Sequence, residues 1–185
     1  MVTAPFIVLV DANVLFPLTL RDTVLRAAAA DLYQLRWSDE ILDEVERNLV
    51  STNTMSVDKA ARLREHMVKY FPEAMVASHE SLSPAMRNDP KDRHVVAAAV
   101  KAGAQVIVTA NLKHFTPLPD GIEAQSPDDF LCHLFDLDSE GFVEILREQA
   151  ADLRKPPVTF EELLARLAKP APELVQAVKA FLSPA

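Results

Sequence analysis

The sequence predicts an α/β fold with a central parallel sheet, followed by helices in the C-terminal part. Residues 6–10 form an uninterrupted apolar run that ends on a carboxylate, Asp11. Such a run is typical of a strand covered on both faces by helices. Residues 104–109 are expected to form a second buried strand, and helix-like segments lie between the two strands. This alternation indicates a βαβ sandwich, in which ligands gather at the carboxyl ends of the strands.

The composition narrows the class of protein. A chain of 185 residues, 49% of them apolar and only three of them glycine, favours a helix-rich globular domain with room for an appendage. The net charge of −8 argues against nucleic-acid binding through bulk charge, but a local basic rim stays open. The single cysteine, Cys132, excludes an internal disulfide and a Cys-based zinc site. We see no signal peptide or membrane-spanning stretch, and therefore expect a cytoplasmic protein with no membrane partner.

Two helices with start signals follow the first strand. Residues 22–30 are rich in Ala and Leu, and we expect Asp22 to cap this helix. Residues 32–37 are expected to form a second strand, and Ser38 begins the next helix. That helix has an apolar stripe formed by Ile41, Val45 and Leu49. A separate polar face carries Glu40, Glu44, Arg47 and Asn48.

The middle of the chain continues the alternation. A helix is expected to begin at Ser56 and to extend to about residue 70, and residues 73–79 are candidates for a third strand. Residues 88–92 begin a well-marked helix that ends at Gly103, a favoured residue at helix C-termini. The apolar run at 104–109 is then the next buried strand.

From Ser126 onward the pattern is helical throughout. Helix starts are marked at Ser126 and Ser139, and Thr159 with Glu162 forms a capping-box sequence. We therefore expect a sandwich domain at residues 1–135 and a C-terminal helical extension at residues 136–185.

Three acids lie at positions that a parallel sheet can bring together. Asp11 follows the first strand, Glu44 lies on the polar face of a helix, and Asp92 lies in the first turn of another. Clustered carboxylates repel one another unless a divalent cation neutralises them, and Mg²⁺ or Mn²⁺ suits such a site and phosphoryl chemistry. Simpler roles stay open: Asp11 can form a turn, Asp92 can cap its helix, and Glu44 can pair on the surface.

The histidines give a weaker signal. The five of them lack the paired spacing of a zinc site, so we expect surface or packing roles. His114 is the exception, because it follows a strand end near the expected cleft. No glycine-rich phosphate loop or nucleophile elbow is present in the sequence. Spacing alone leaves a metal-dependent hydrolase as one open hypothesis.

Four segments, taken in order, resemble the PIN-domain nuclease family, particularly the VapC-like toxins of bacterial toxin–antitoxin pairs. The segments are residues 8–15, 37–49, 89–99 and 106–115. The resemblance implies a three-layer α/β/α sandwich with a five-stranded parallel sheet. It also implies endonucleolytic cleavage of RNA that depends on Mg²⁺ or Mn²⁺.

The resemblance assigns roles to the acids. Asp11 matches the first metal-binding acid of the family, Glu44 the acid on the helix, and Asp92 the third. Glu40 is the rival of Glu44, but Glu44 has the better register with the Arg-Asn-Leu that follows.

Other site positions depart from the family pattern or support the acids. Asn111 stands where many relatives carry a fourth acid, and we include it among the candidate catalytic residues. Its amide contributes no charge, so the site can hold either one or two metal ions. Asp128 or Asp129 is an alternative source of that charge. Asn13 and Thr109 are expected to orient the acids or water.

An acidic ribonuclease needs cations beside its cleft to hold phosphates. The candidates by position are Arg21, Arg47, Lys91, Arg93, Lys113 and His114. The resemblance further implies an antitoxin that inserts a segment into the cleft, and a homodimer. The helices after residue 136 can cover the fold, enlarge a dimer interface or bind the antitoxin.

Two other functions remain open. The first is a phosphatase of the haloacid-dehalogenase kind, with Asp11 as the nucleophile, although that family usually carries a second acid where this chain has Asn13. The second is a PIN-like module that binds RNA or protein without cutting, which the amide at Asn111 favours.

Overall fold

The computed structural model describes residues 6–183, and a five-stranded parallel sheet lies at its centre. The strands are β1 (Ile7–Val10), β2 (Gln34–Ser38), β3 (Met75–Val76), β4 (Val106–Val108) and β5 (Glu123–Gln125). Their order across the sheet is β3-β2-β1-β4-β5, and every pairing is parallel. Helices flank the sheet, so the predicted α/β/α fold with C-terminal helices is confirmed.

The burial of the strands follows their places in the sheet. Val8, Leu9 and Val10 of the central strand β1 are fully buried, as are Ile107 and Val108 of its neighbour β4. These apolar runs form strands because helices cover both of their faces. The edge strand β5 is short and polar, which is why its sequence gave no strand signal.

The helices begin and end largely where the capping signals place them. Ser38, Ser56 and Ser126 each accept a hydrogen bond from a first-turn amide, and Thr159 forms the expected capping box with Glu162. The helices are α1 (Ala12–Leu15), α2 (Leu18–Ala29), α3 (Asp39–Ser51), α4 (Val57–Tyr70), α5 (Arg93–Ala102), α6 (Pro127–Leu137), α7 (Ser139–Asp152), α8 (Phe160–Leu167) and α9 (Pro172–Leu182).

Several predicted boundaries were wrong. Helix α5 begins at Arg93 rather than within residues 88–92, because Pro90–Asp92 form a 3₁₀ turn. Helix α2 begins at Leu18 rather than at Asp22, because Pro17 is extended and directly precedes the first turn. The third strand covers Met75–Val76 only, since the preceding residues form a 3₁₀ turn, Pro72–Ala74. Helix α5 ends as predicted at Gly103, which is left-handed with φ of 65°.

The C-terminal helices pack against the sandwich through α2. Gln149 of α7 is fully buried, and its side chain accepts a 2.8 Å hydrogen bond from Thr23 and donates one of 3.1 Å to the carbonyl of Thr19. Arg26 and Asp152 form an ion pair at the edge of the same contact. The division after residue 135 stays a prediction. No helix among residues 6–183 has the length and apolarity needed to cross a bilayer.

Candidate active site

The carboxyl ends of β1 and β4 lie side by side and carry the first site residues. Asp11 directly follows β1, and its backbone N–H donates to the carbonyl of Val108, the last residue of β4. Thr109 comes next on that strand. Neighbouring parallel strands therefore bring residues that are 98 positions apart in sequence to one edge of the sheet.

The Asp11 carboxylate is buried and held by three hydrogen bonds. Its Oδ1 accepts from the backbone N–H of Ala12 at 2.7 Å, which caps the short helix α1. Its Oδ2 accepts from the Asn13 amide at 2.7 Å and from the Thr109 hydroxyl at 2.8 Å. Three bonds out of about four acceptor positions leave this carboxylate room for roughly one further ligand.

Asn13 joins the two loops that follow β1 and β4. Its amide nitrogen also lies 3.2 Å from the Thr109 hydroxyl, and its carbonyl oxygen accepts from the backbone N–H of Ala110 at 3.0 Å. Thr109 in turn accepts from the backbone N–H of Asn111 at 3.1 Å. The structure thus brings together the two residues that we expected to orient the first acid.

Glu44 lies on α3 beside the His94 ring of α5. His94 Nε2 is 3.1 Å from Glu44 Oε1, and His94 Nδ1 is 3.1 Å from Glu40 Oε2. Neither ring nitrogen aligns as a proper hydrogen-bond donor, so these are charge contacts at hydrogen-bond distance. Burial lowers the pKa of the His94 imidazole, but contacts with Glu44, Glu40 and Asp11 outweigh it, and the net direction is upward.

Asp92 is held by His114, the histidine that the sequence singled out. Its Oδ2 lies 2.9 Å from His114 Nδ1. The two loops are joined a second time, because the backbone N–H of Asp89 donates to the carbonyl of His114 at 3.1 Å. His114 therefore faces an acid through Nδ1, and its expected contact with a phosphate stays a prediction.

The three acids act on one another electrostatically. Burial raises the pKa of the Asp11 carboxyl to about 6, the hydrogen bonds from Thr109 and Ala12 oppose this rise, and the charges of Asp92 and Glu44 add to it. A cation bound beside a buried acid with two acidic neighbours would stabilise the ionised form of all three carboxylates.

The donor chemistry of the site fits a hard divalent cation, although no cage of ligands is preformed. Within residues 6–183, no group of three or more His, Cys, Asp or Glu side chains is arranged to hold a metal ion. Mg²⁺ is usually held by one or two carboxylates and several waters, so it does not require such a cage. Asp11, Glu44 and Asp92 would hold it, since their oxygens are its preferred ligands.

The candidate cations divide into exposed and structural side chains. Lys91, Lys113 and Arg47 are exposed and free to meet a phosphate backbone. Arg93 is half-buried and donates through Nε to the carbonyl of Asn88. Arg21 is buried and donates to the carbonyls at the end of α1, Leu15 at 2.8 Å and Phe16 at 3.0 Å, so among the candidate cations it is a structural donor.

The two candidates for a replacement fourth acid are engaged elsewhere. The oxygens of Asp128 accept from the backbone N–H groups of Glu173 and Leu174 at the start of α9. Asp129 Oδ2 accepts from the hydroxyl of Ser126 at 2.6 Å. Asn111 is exposed at the edge of the site and remains the residue at this position.

Sequence reasoning missed the two histidines beside α3. His94 contacts both candidate glutamates, and buried His79 places Nε2 3.8 Å from Glu40 Oε2. The available signal was the position of His94, two residues after Asp92 in the first turn of a helix that begins at the same sheet edge. The i, i+4 spacing of Glu40 and Glu44 on one helix face pointed to a shared partner.

This chain belongs to the PIN-domain family, as its fold and the acid at the carboxyl end of β1 predict. Residues 7–113 match the family model described as "PIN domain", and residues 127–180 match that described as "VapC50 C-terminal domain". The chain is 41% identical over 103 residues to a Mycobacterium tuberculosis protein described as "Putative ribonuclease VapC50". That alignment covers 54% of this chain and 61% of the relative. No solved structure matches the chain.

Proposed function

We propose that this protein is an endoribonuclease that depends on Mg²⁺ or Mn²⁺. The observation that carries the proposal is the buried Asp11 carboxylate, whose pKa rises to about 6 under burial and the charges of Asp92 and Glu44. An uncompensated acidic cluster is costly to fold, and a divalent cation at the site offsets that cost. The description of the relative as a ribonuclease supports RNA as the substrate.

Each of the three acids is held in place by a neighbouring side chain. Asp11 is held in one position by Asn13 and Thr109, while Asp92 is held by His114 and Glu44 by His94. Fixed carboxylates keep a cation and an attacking water in one geometry, which lowers the entropic part of the barrier.

When bound, the cation supplies the positive charge that activates water and neutralises charge on the phosphodiester during in-line displacement. Lys91 and Lys113 are exposed next to Asp92 and His114, respectively. We assign them to binding the phosphates on either side of the cut, with Arg93 as a further contact. A local basic rim of this kind lets a chain of net charge −8 bind RNA.

The biological role we propose is that of the toxin in a toxin–antitoxin pair, acting in the cytoplasm. The VapC naming of both the matched C-terminal family model and the relative supports it. We further propose a cognate antitoxin that covers the cleft, and a homodimer. We assign the nuclease domain to residues 1–135 and a helical extension to residues 136–185.

Cleavage of a structured RNA mixture tests the chemistry. The purified full chain is incubated with Mg²⁺, Mn²⁺ or EDTA and compared with Asp11→Asn and Asp92→Asn. Glu148→Gln is the matched control, because Glu148 is an exposed acid on α7 outside the site. We expect metal-dependent cuts by wild type and the control, and none by the two site variants. Cuts that persist in the site variants would contradict the assignment.

The exposed amide of Asn111 favours one alternative, a module that binds RNA without cutting. Protein shown to be free of antitoxin that retains RNA but leaves it intact with every divalent metal would establish that module. Labelling of Asp11 by a phosphoryl analogue would instead indicate a phosphatase.

A further inference from the structure

Two glutamates of α3 point toward the site from the same helix face. Glu40 and Glu44 are four residues apart, and their side chains are 47% and 32% exposed. Like charges at this spacing repel each other and destabilise a helix. A group on a neighbouring element that contacts both carboxylates would offset this repulsion.

The His94 ring lies between these two carboxylates. One ring nitrogen faces each glutamate at 3.1 Å, and the side chain is only 15% exposed. Since the ring comes from α5 and the glutamates from α3, the contact joins two helices that begin at the same edge of the sheet. His79, 3% exposed and 3.8 Å from Glu40 Oε2, limits the movement of Glu40 on another side.

His94 leaves Glu44 able to serve the site. The contact uses Oε1 of Glu44 and leaves the other carboxylate oxygen for a ligand. A free glutamate side chain loses up to about 2 kcal/mol of rotamer entropy when it is fixed, so a side chain already held by a neighbour binds a ligand at lower cost. Partners that orient ligands in this way usually affect metal affinity as well as activity.

We propose that His94 is a positioning residue, which holds the Glu44 carboxylate toward Asp11 and is itself held from the other side by Glu40. This proposal rests on the proposed function, since it names what keeps one of the three acids in place. The unit consists of Glu40, His94 and Glu44, and His94 itself contacts neither the cation nor the RNA.

Mn²⁺ binding by the RNA-free full chain, followed by electron paramagnetic resonance, tests the proposal without any cleavage. We expect His94→Gln to weaken Mn²⁺ binding about tenfold. The same substitution in a Glu44→Gln background is expected to have almost no further effect, because its route to the cation is already lost. His66→Gln, an exposed histidine of α4, is the matched control and is expected to bind as wild type does.

Cleavage kinetics give a second readout. His94→Gln is expected to lower kcat while the KM for RNA stays near that of wild type, because phosphate binding does not pass through Glu44. Equal losses in the wild-type and Glu44→Gln backgrounds would overturn the proposal, since His94 would then act independently of Glu44. Wild-type Mn²⁺ affinity in His94→Gln would overturn it as well.

Glu40→Gln provides the test if His94→Gln does not fold. It leaves the His94–Glu44 contact in place but removes the charge that holds the far side of the ring. We expect a smaller loss of Mn²⁺ affinity, which disappears in the Glu44→Gln background. A loss that persists there, or no loss at all, would contradict the proposed unit. Protein that binds Mn²⁺ but never cuts RNA would refute the proposed function, while the Mn²⁺ comparison would still decide the role of His94.

Discussion

The hydroxyl of Thr109 donates a 2.8 Å hydrogen bond to the carboxylate of Asp11, and this bond ties the end of β4 to the end of β1. The bond lowers the pKa of the buried acid and so opposes the effect of its burial. The same hydroxyl accepts from the Asn13 side chain and from the backbone of Asn111. One small side chain thus fixes the geometry of the first acid.

Replacing Thr109 with valine removes this hydroxyl while keeping the volume of the side chain. We expect the free energy of unfolding to fall by about 1–3 kcal/mol, because a buried carboxylate oxygen and the Asn13 amide lose a partner. Urea unfolding followed by the fluorescence of Trp37, which is fully buried, measures the loss. Thr109→Ser keeps the hydroxyl and is expected to lose less. Equal losses in both variants would assign the effect to the missing methyl group instead.

The raised pKa of Asp11 predicts that the site destabilises the metal-free fold at neutral pH. Below pH 3.8 the carboxyl is protonated in both folded and unfolded chains, so it contributes nothing. Between pH 3.8 and about 6 the unfolded chain releases its proton more readily, and stability falls as the pH rises. Above pH 6 the full cost, about 3 kcal/mol, is present.

Asp11→Asn removes that cost. In EDTA at pH 7 the variant is expected to be about 1–3 kcal/mol more stable than wild type, with part of the gain offset by a lost acceptor oxygen. The difference is expected to shrink toward zero near pH 4. Urea unfolding at several pH values measures it, with Glu148→Gln as the control. A difference that is independent of pH would contradict the raised pKa.

The acid at the end of β1 was predictable, whereas the partners of the three acids were not. Asp11 interrupts an apolar strand, which is a local signal that a single sequence carries. The contacts of His94 join side chains of α5 and α3, which are more than 40 residues apart in sequence, so local patterns do not tell which residue is the shared partner of Glu40 and Glu44. Arg21 looked like a phosphate ligand because of its charge, but burial against the end of α1 makes it a structural donor. The polar edge strand β5 forms through pairing with β4 rather than through its own apolar pattern.

The contact between Gln149 and Thr23 is expected to couple the C-terminal helices to the sandwich. Gln149→Leu keeps a similar volume but removes both buried hydrogen bonds of the amide, so we expect a loss of about 1–2 kcal/mol in the free energy of unfolding. Adding Thr23→Val is expected to cost less than the sum of the single changes, because both substitutions remove the same hydrogen bond between Thr23 and Gln149. Urea unfolding of the four proteins measures this coupling, and strictly additive losses would show that the pair does not connect α2 to α7.

Asn111→Asp tests whether the fourth position of the site lies within reach of a cation. Asn111 is exposed, and its backbone N–H donates to Thr109, whose hydroxyl bonds Asp11. A carboxylate here adds charge close to the acids, and added ligand charge strengthens the binding of hard cations. We expect Mn²⁺ to bind about tenfold more tightly, because the affinity of oxygen-ligand sites for hard cations rises with the number of charged ligands.

The same substitution has an opposite effect without metal, because a fourth negative charge raises the repulsion around Asp11. The metal-free Asn111→Asp protein is therefore expected to be less stable than wild type at pH 7, and saturating Mn²⁺ is expected to reverse that order. Thermal unfolding with Mn²⁺ and with EDTA measures both states. Gln176→Glu, which adds a charge at an exposed position of α9, serves as the control for net charge. If the two variants behave alike, the side chain at position 111 lies outside the reach of the cation, and the site works with the three acids Asp11, Glu44 and Asp92.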